Sequence, residues 1–353
     1  MPLDLPLLSR LPAHLTVILP RRLTIRLLAL CAVLCLPASE LLAQSNGGGL
    51  RSQLPTLNQL INGGNNAAST EQGLNASVRI GLTYADIDSN DGDFRLEDFD
   101  SHIGWRGTTS LSAGLNADGY IELGVRPEQF DSFELRIREL WGGLSGSFGL
   151  LRAGTQHGTF YELISSATDV AVWGSCWTQF ECSRQSEVIK YRSPPAPFVF
   201  GLSVVAQADD GEDEAADRFE YGIGYQSGSL YFGIAGSQTG DEDELSGGTL
   251  LGAVLTFGFS GGSITLGYQQ TDAEVFVGDA GEITHLTLSL VYGASYLIYN
   301  QTETDTNEPS WFTLGGRQSL GSGASLFYEY QQVDSDDGID EDLFLRAGIQ
   351  VDW

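Results

Sequence analysis

From Asn75 to the C-terminus the chain repeats one pattern, in which short segments of about ten residues alternate apolar and polar positions between turn residues. In Ser77–Tyr84, Val78, Ile80, Leu82 and Tyr84 fall on one face, and Ser77, Arg79, Gly81 and Thr83 on the other. In Asp100–Thr108, Ile103 and Trp105 oppose His102, Gly104 and Arg106. In Tyr120–Arg126, Ile121, Leu123 and Val125 oppose Tyr120, Glu122 and Arg126. The cleanest segment is the last, where Leu345, Ala347, Ile349, Val351 and Trp353 alternate with Phe344, Arg346, Gly348, Gln350 and Asp352. A period of two is the signature of a strand with one apolar face. The pattern predicts 16 strands, near 75–85, 98–109, 112–126, 132–145, 147–157, 184–193, 197–208, 217–227, 229–238, 247–258, 261–272, 282–293, 294–302, 310–319, 322–333 and 342–353.

The connections sort by parity. Every other one is short and nearly uncharged: Thr109–Leu111, Ser193–Pro197, Gly228, Ser260, Gly321. Those between are longer and acidic: Asp86–Asp98, Ala208–Asp217, Gly240–Leu245, Asp272–Glu282, Glu303–Glu308, Asp334–Asp342. A soluble sandwich explains alternating strands but not connection lengths sorted in this way. A transmembrane barrel explains both, with short turns on one rim and long loops on the other. After position 75 no apolar run reaches the length of a spanning helix. In hydrocarbon a closed antiparallel barrel pairs every backbone polar group and leaves no edge. The apolar face then meets lipid, and a 16-strand lumen is wide enough to hold water. The expected fold is all-β, a transmembrane antiparallel β-barrel over 75–353.

The N-terminal region reads differently. Arg21, Arg22 and Arg26 precede an apolar run, Leu27–Leu36, then Pro37 and small residues up to Ala43. That is the layout of a secretory signal, so residues 1–43 are expected to be removed; an inner-membrane anchor is the alternative. The stretch before Arg21 exceeds what an n-region needs, which leaves a start downstream of Met1 open. Residues 44–74, rich in Gly, Asn, Gln and Ser, read as a flexible periplasmic segment.

The 353-residue chain carries 18 Lys and Arg against 46 Asp and Glu, a formal net of -28. A surface this acidic does not bind nucleic acid through phosphate contacts. Processing takes away four Arg and two acids and leaves two cysteines, Cys176 and Cys182. In an oxidising periplasm a local disulfide is expected; free thiols or a metal pair are the alternatives, and no His cluster supports a metal. The acidic loops read as a solvated face. Loosely held Ca²⁺ or Mg²⁺ bridging lipid headgroups is the other reading, with no specific cation site and no cofactor expected.

The longest connection, Gly158–Ser183, is the least acidic of the long ones. It holds Phe160, Tyr161, Trp173, Trp177 and Phe180 together with Glu162, Asp169 and Glu181. A loop this apolar is expected to fold into the lumen, with an external contact to a neighbouring subunit as the alternative. Arg79, Arg106, Arg126, Arg136, Arg138, Arg152, Arg184 and Arg192 point inward by parity. Arginine opposite carboxylates would set a transverse field across a constriction. Glu139 falls on the outward face by parity, which implies either a buried subunit interface or a local parity break.

The stretches Val78–Tyr84, His102–Thr108 and Arg138–Ser145, with the terminal aromatic Trp353, resemble the 16-stranded Gram-negative general porins. The resemblance implies a homotrimer in the outer membrane of a Gram-negative bacterium, in contact with lipid and lipopolysaccharide. It implies a third loop folded into each pore, and a C-terminal aromatic, Trp353, read by the barrel-insertion machinery. Arg138 and Arg184 match two wall arginines of that family, and His102 stands where a third is usual. Asp169 matches the first loop acid, while the second is replaced near Val172 or Trp173. The expected constriction therefore comprises His102, Arg138, Arg184, Arg79 and Arg106 on the wall and Asp169, Glu162 and Glu181 on the loop.

Only His102, His157 and His285 remain after processing, on different wall positions and without a Ser-centred motif, so an enzyme is not expected. The expected function is passive diffusion of small hydrophilic solutes and ions through a water-filled channel, biased toward cations by the acidic mouth. The alternatives are a substrate-specific channel and a non-conducting barrel acting as adhesin or anchor.

Overall fold

Seventeen strand segments form one antiparallel sheet closed on itself. They are β1 (Glu71–Asp86), β2 (Asp93–Asp98), β3 (His102–Ser112), β4 (Leu115–Glu128), β5 (Ser132–Gly146), β6 (Gly149–Gln156), β7 (Gln185–Arg192), β8 (Phe198–Val205) and β9 (Arg218–Ser227). The rest are β10 (Leu230–Thr239), β11 (Thr249–Phe259), β12 (Gly262–Thr271), β13 (Ile283–Tyr292), β14 (Ser295–Glu303), β15 (Ser310–Gly321), β16 (Ala324–Asp334) and β17 (Glu341–Asp352). The computed structural model describes residues 71–86, 92–112, 114–128, 132–173, 180–194, 197–206, 218–239, 248–271, 282–304, 308–334 and 341–353. The expected signal peptide, most of the 44–74 segment and most of the acidic connections, with their cation reading, lie outside the described residues.

Each strand pairs with its sequence neighbours, and β1 closes the ring by pairing with β17 from Ser77–Asp352 to Asp86–Leu343. On its other edge β1 pairs with both β2 and β3. Those two segments are halves of one stave. Across from them, Val78 and Arg79 face three residues, Phe99, Asp100 and Ser101, so the stave bulges there. Asp98 Oδ1 accepts from the backbone N–H of Asp100 (3.1 Å) and of Ser101 (2.9 Å), and Asp100 adopts φ 78°. Counting β2 and β3 as one stave gives the 16 strands of the sequence pattern. At the C-terminus Trp353 exchanges two backbone hydrogen bonds with Ala76 at the seam, its ring exposed.

Parity works as expected through most of the wall. On β12 and β13, Ile264, Leu266, Leu286 and Leu288 are exposed on the outside. Thr265, Gln269, His285, Thr287 and Ser289 are buried on the inside. Between β4 and β5 it breaks. Glu122 pairs with Glu139 and Leu123 with Ile137, so Arg138 is an extra residue. A bulge re-aims side chains, and here both Arg138 and Glu139 turn inward. Of the two readings of Glu139, the structure shows the local parity break, and the argument for an oligomer from a charge facing lipid falls away.

Gly154, on β6, sits at φ 131°, where a side chain is strained. A Cβ there would collide with the carbonyl oxygen of Leu140 on the neighbouring strand. Gly154→Val is expected to abolish or sharply reduce the folded, heat-modifiable band on unboiled gels; wild-type levels of that band would count against this account of the β5–β6 contact.

Candidate functional site

The third long connection turns into the lumen and lies along the wall from β8 towards β16. It begins with a short helix, α1 (Thr159–Leu163), followed by a 3₁₀ turn at Ser165–Ala167. Its apolar side chains make it stay there. Phe160, Leu163 and Ile164 pack with Ala235, Leu250 and Val254, and Tyr231 covers them. Farther on, Val170 and Val172 pack with Phe99, Tyr296, Ile298 and Phe327, and Trp173 meets Phe99 edge-on. Each fully buried large side chain contributes on the order of 1.5–3 kcal/mol. Gly252 makes room for this packing, since a Cβ there would press on the Phe160 ring and Ile164. Trp177 and Cys176 lie outside the described residues.

Polar fastenings tie the same loop to successive strands. Ser203 Oγ accepts from the Thr159 N–H at 2.9 Å, and Glu220 from the Phe160 N–H at 2.9 Å. Gln269 accepts from the Phe180 N–H at 2.9 Å. Glu329 Oε2 accepts from Val172 N–H (3.1 Å), Trp173 N–H (3.3 Å) and Tyr296 Oη (2.7 Å), and its other oxygen pairs with Arg346 (3.0 Å). The loop is thus anchored to β8, β9, β12 and β16.

Two of the three loop acids expected at a constriction are fastenings instead. Glu162 is buried against Lys190 Nζ (2.5 Å), with Arg192 at 3.9 Å. Burial alone would raise its carboxyl pKa, but Lys190, Arg192 and Arg152 together hold it below the usual carboxylate range. Lys190 also donates to the His157 carbonyl oxygen at 2.6 Å. Glu181 pairs with Arg218 at 2.5 Å and accepts from Gln185 at 2.6 Å. Burial, with Glu220 adding to it, pushes the Glu181 carboxyl up against the pull of Arg218. Both acids point at the wall because the loop lies flat on it.

Asp169 is the loop acid turned toward the arginines. It accepts from Tyr161 Oη at 2.9 Å and lies within electrostatic reach of Arg79. Burial and the Asp169 charge push the Tyr161 phenol well above its ordinary value. Tyr161 stacks on His157, ring centroids 3.7 Å apart, and burial beside Arg184, Lys190 and Arg138 keeps that imidazole neutral, its pKa well below the usual one.

On the wall, Arg138 pairs with Asp100 and with Glu122 (Nε–Oε1 2.5 Å). Arg184 pairs with Glu122 (3.5 Å) and Glu139 (3.3 Å). Trp141 Nε1 donates to Glu139 at 3.0 Å. His102 Nδ1 donates to the Asp100 carbonyl oxygen at 2.9 Å. The structure brings together Arg79, His102, Arg138, Arg184 and Asp169, and places Arg106 beside Trp141 instead. Sequence reasoning left out Asp100, Glu122 and Glu139. Glu122 carried an inward-parity signal; Glu139 reads in the sequence only as a charge on the outward face, because the bulge at Arg138 shifts its parity. Among the described residues no group of three or more His, Cys, Asp or Glu is arranged to hold a metal.

A family model described as Gram-negative porin matches residues 56–338. Among solved structures, the anion-selective porin from Comamonas acidovorans aligns at 17% identity and TM-score 0.69, over 81% of this chain and 100% of that one. Salmonella typhi OmpF in complex with daunomycin aligns at 15% identity and TM-score 0.66, over 80% and 97%. In-vitro folded OmpT of Vibrio cholerae, in its trimer form, aligns at 15% identity and TM-score 0.62, over 81% and 100%. No curated relative matches the chain. At these identities the structural likeness speaks for the fold.

Glu162→Gln leaves a buried ammonium without its counter-charge, a change that costs about 3–5 kcal/mol. Single-channel recordings are expected to show a noisier open current in this variant. Because the folded pKa of Glu162 is depressed, its stabilisation is present above the ordinary carboxylate range and is lost as pH falls through the lowered value. The wild type should therefore acquire the same noise on strong acidification. A quiet current in the variant would count against this fastening.

Proposed function

The chain belongs to the Gram-negative porin family, and from that premise we propose that it passes small hydrophilic solutes and ions by passive diffusion, with a bias toward cations. One observation carries the bias. Arg138 and Arg184, the arginines matched to the family's wall, are each paired with carboxylates of Asp100, Glu122 or Glu139. Their charge is compensated where the loop narrows the lumen, so the wall does not hold cations off. The acidic connections, such as Ala208–Asp217, then decide which ions gather at the mouth. Asp169 adds a carboxylate on the loop side.

The same reading includes a homotrimer in outer-membrane lipid and lipopolysaccharide, inserted through recognition of Trp353. The exposed ring of Trp353 at the seam, and the trimer form of the Vibrio cholerae relative, support it. It includes a Cys176–Cys182 bridge across the loop tip, supported by Cys182 being disulfide-bonded. Loosely held Ca²⁺ at the acidic loops belongs to the same proposal.

The test is the zero-current potential across a KCl gradient in planar bilayers. A sign reporting potassium preference is expected, and a clear chloride preference would overturn the cation bias. Replacing Glu122 and Glu139 together by Gln leaves Arg138 and Arg184 without those partners, and the permeability ratio should move several-fold toward chloride. An unchanged ratio would remove the paired-arginine argument.

A further inference from the structure

We propose that Arg106 and Arg152, set around Trp141 on the lumen wall, form a subsite for small oxyanions, carboxylate or phosphate. The proposal rests on the channel reading. By register Arg106 lies opposite Tyr120, and Tyr120 opposite Trp141. Tyr120 is two residues from Glu122, so the cluster sits about 7 Å along the strand from the Arg138 pairs, toward the short turns. It is a separate station on the path.

Unlike Arg138 and Arg184, these two arginines make no ion pair among the described residues. Their guanidinium carbons lie over the same indole, Arg152 at 3.7 Å and Arg106 at 5.8 Å from its centroid. The Nε of Arg152 is buried with no hydrogen-bond partner. The carboxylates within electrostatic reach of Arg152 are Glu162 and Asp118, and both are engaged elsewhere. Glu162 holds Lys190 and Arg192. Asp118 accepts from Thr108 Oγ1 at 2.8 Å and from Ser145 Oγ at 2.6 Å. Arg192 adds a third guanidinium to the same neighbourhood.

Two cations sharing one aromatic ring repel each other, and a cation–π contact offsets this only in part. An oxyanion relieves the repulsion and accepts the charge-assisted, fork-shaped hydrogen bonds that guanidinium groups present. Arg106 is exposed to the lumen, so an anionic group on a passing solute can reach the pair. A solute with a carboxylate or phosphate would dwell here after passing the compensated narrow zone.

The probes are citrate and inorganic phosphate, added to either side of a bilayer carrying the full channel in symmetric KCl. Concentration-dependent interruptions of the current are expected, stronger from the side of the short turns. Arg106→Gln with Arg152→Gln should weaken the block about tenfold, the loss of roughly one charge-assisted contact. Asp118→Asn, which removes a competing carboxylate charge, should strengthen it, and this arm stands even where the double variant fails to insert. Undiminished block in the double variant, or unchanged or weaker block in Asp118→Asn, would overturn the subsite. So would an absence of block by both probes while KCl current flows, which leaves the channel reading intact. An absence of KCl current would instead sink the channel reading, and the subsite with it.

Discussion

A bilayer offers the backbone no hydrogen-bond partners, and the arrangement of this protein follows from that constraint. The pairing of β1 with β17 converts a sheet with two open edges into one with none. Closure then gives the sheet a lipid side and a lumen side, and alternation assigns residues between them wherever the register is regular. Most leucine, isoleucine and phenylalanine side chains of the strands go outward because lipid is there. Glutamate, arginine, glutamine and threonine go inward, where water or another polar group can satisfy them. Once the ring is closed, the inner wall is mostly polar, and an apolar loop cannot settle on it at random. It settles where apolar wall residues such as Ala235, Leu250, Val254 and Ile298 interrupt the polar lining.

The loop's position is thus a compromise between two requirements. Phe160, Leu163, Ile164, Val170 and Val172 need cover. The backbone N–H groups beside them need acceptors that the wall must supply. Ser203, Glu220, Gln269 and Glu329 supply them from β8, β9, β12 and β16. Lys190, the single lysine of the chain, is spent on the same task, since its buried ammonium binds both Glu162 and the His157 carbonyl oxygen. A charge buried in this way is tolerable only when paired, so the loop and the wall specify each other.

Most of the barrel was legible in the sequence because alternation and connection length are local. Strands predicted near 261–272 and 294–302 emerged as Gly262–Thr271 and Ser295–Glu303. The site was less legible, for a geometric reason. One inserted residue at Arg138 reverses parity for everything after it on β5, and its one sign in the sequence, the charge of Glu139 at an outward position, fitted a buried subunit interface equally well. The loop acids misled for a different reason. Glu162 and Glu181 look like pore carboxylates when partners are unknown, and their partners Lys190 and Arg218 are distant in sequence. Parity did place Glu122 correctly; what it did not show was that Glu122 lies between Arg138 and Arg184 and offsets both.

Pairing matters more than the number of arginines. Eight arginines pointing inward by parity suggest a positive lumen, yet a guanidinium held by a carboxylate contributes little field beyond the pair, since the two charges cancel over a distance comparable with the Debye length of about 8 Å. What acts on a passing ion is the uncompensated remainder. Near Arg138 and Arg184 that remainder is small, because Asp100, Glu122 and Glu139 stand among them. Near Arg106 and Arg152 it is positive. The proposed channel therefore varies in sign along its axis, from acidic connections through a compensated waist to an unpaired basic station. An ion is drawn toward different parts of that path according to its charge, so one permeability ratio averages over stations that favour opposite ions.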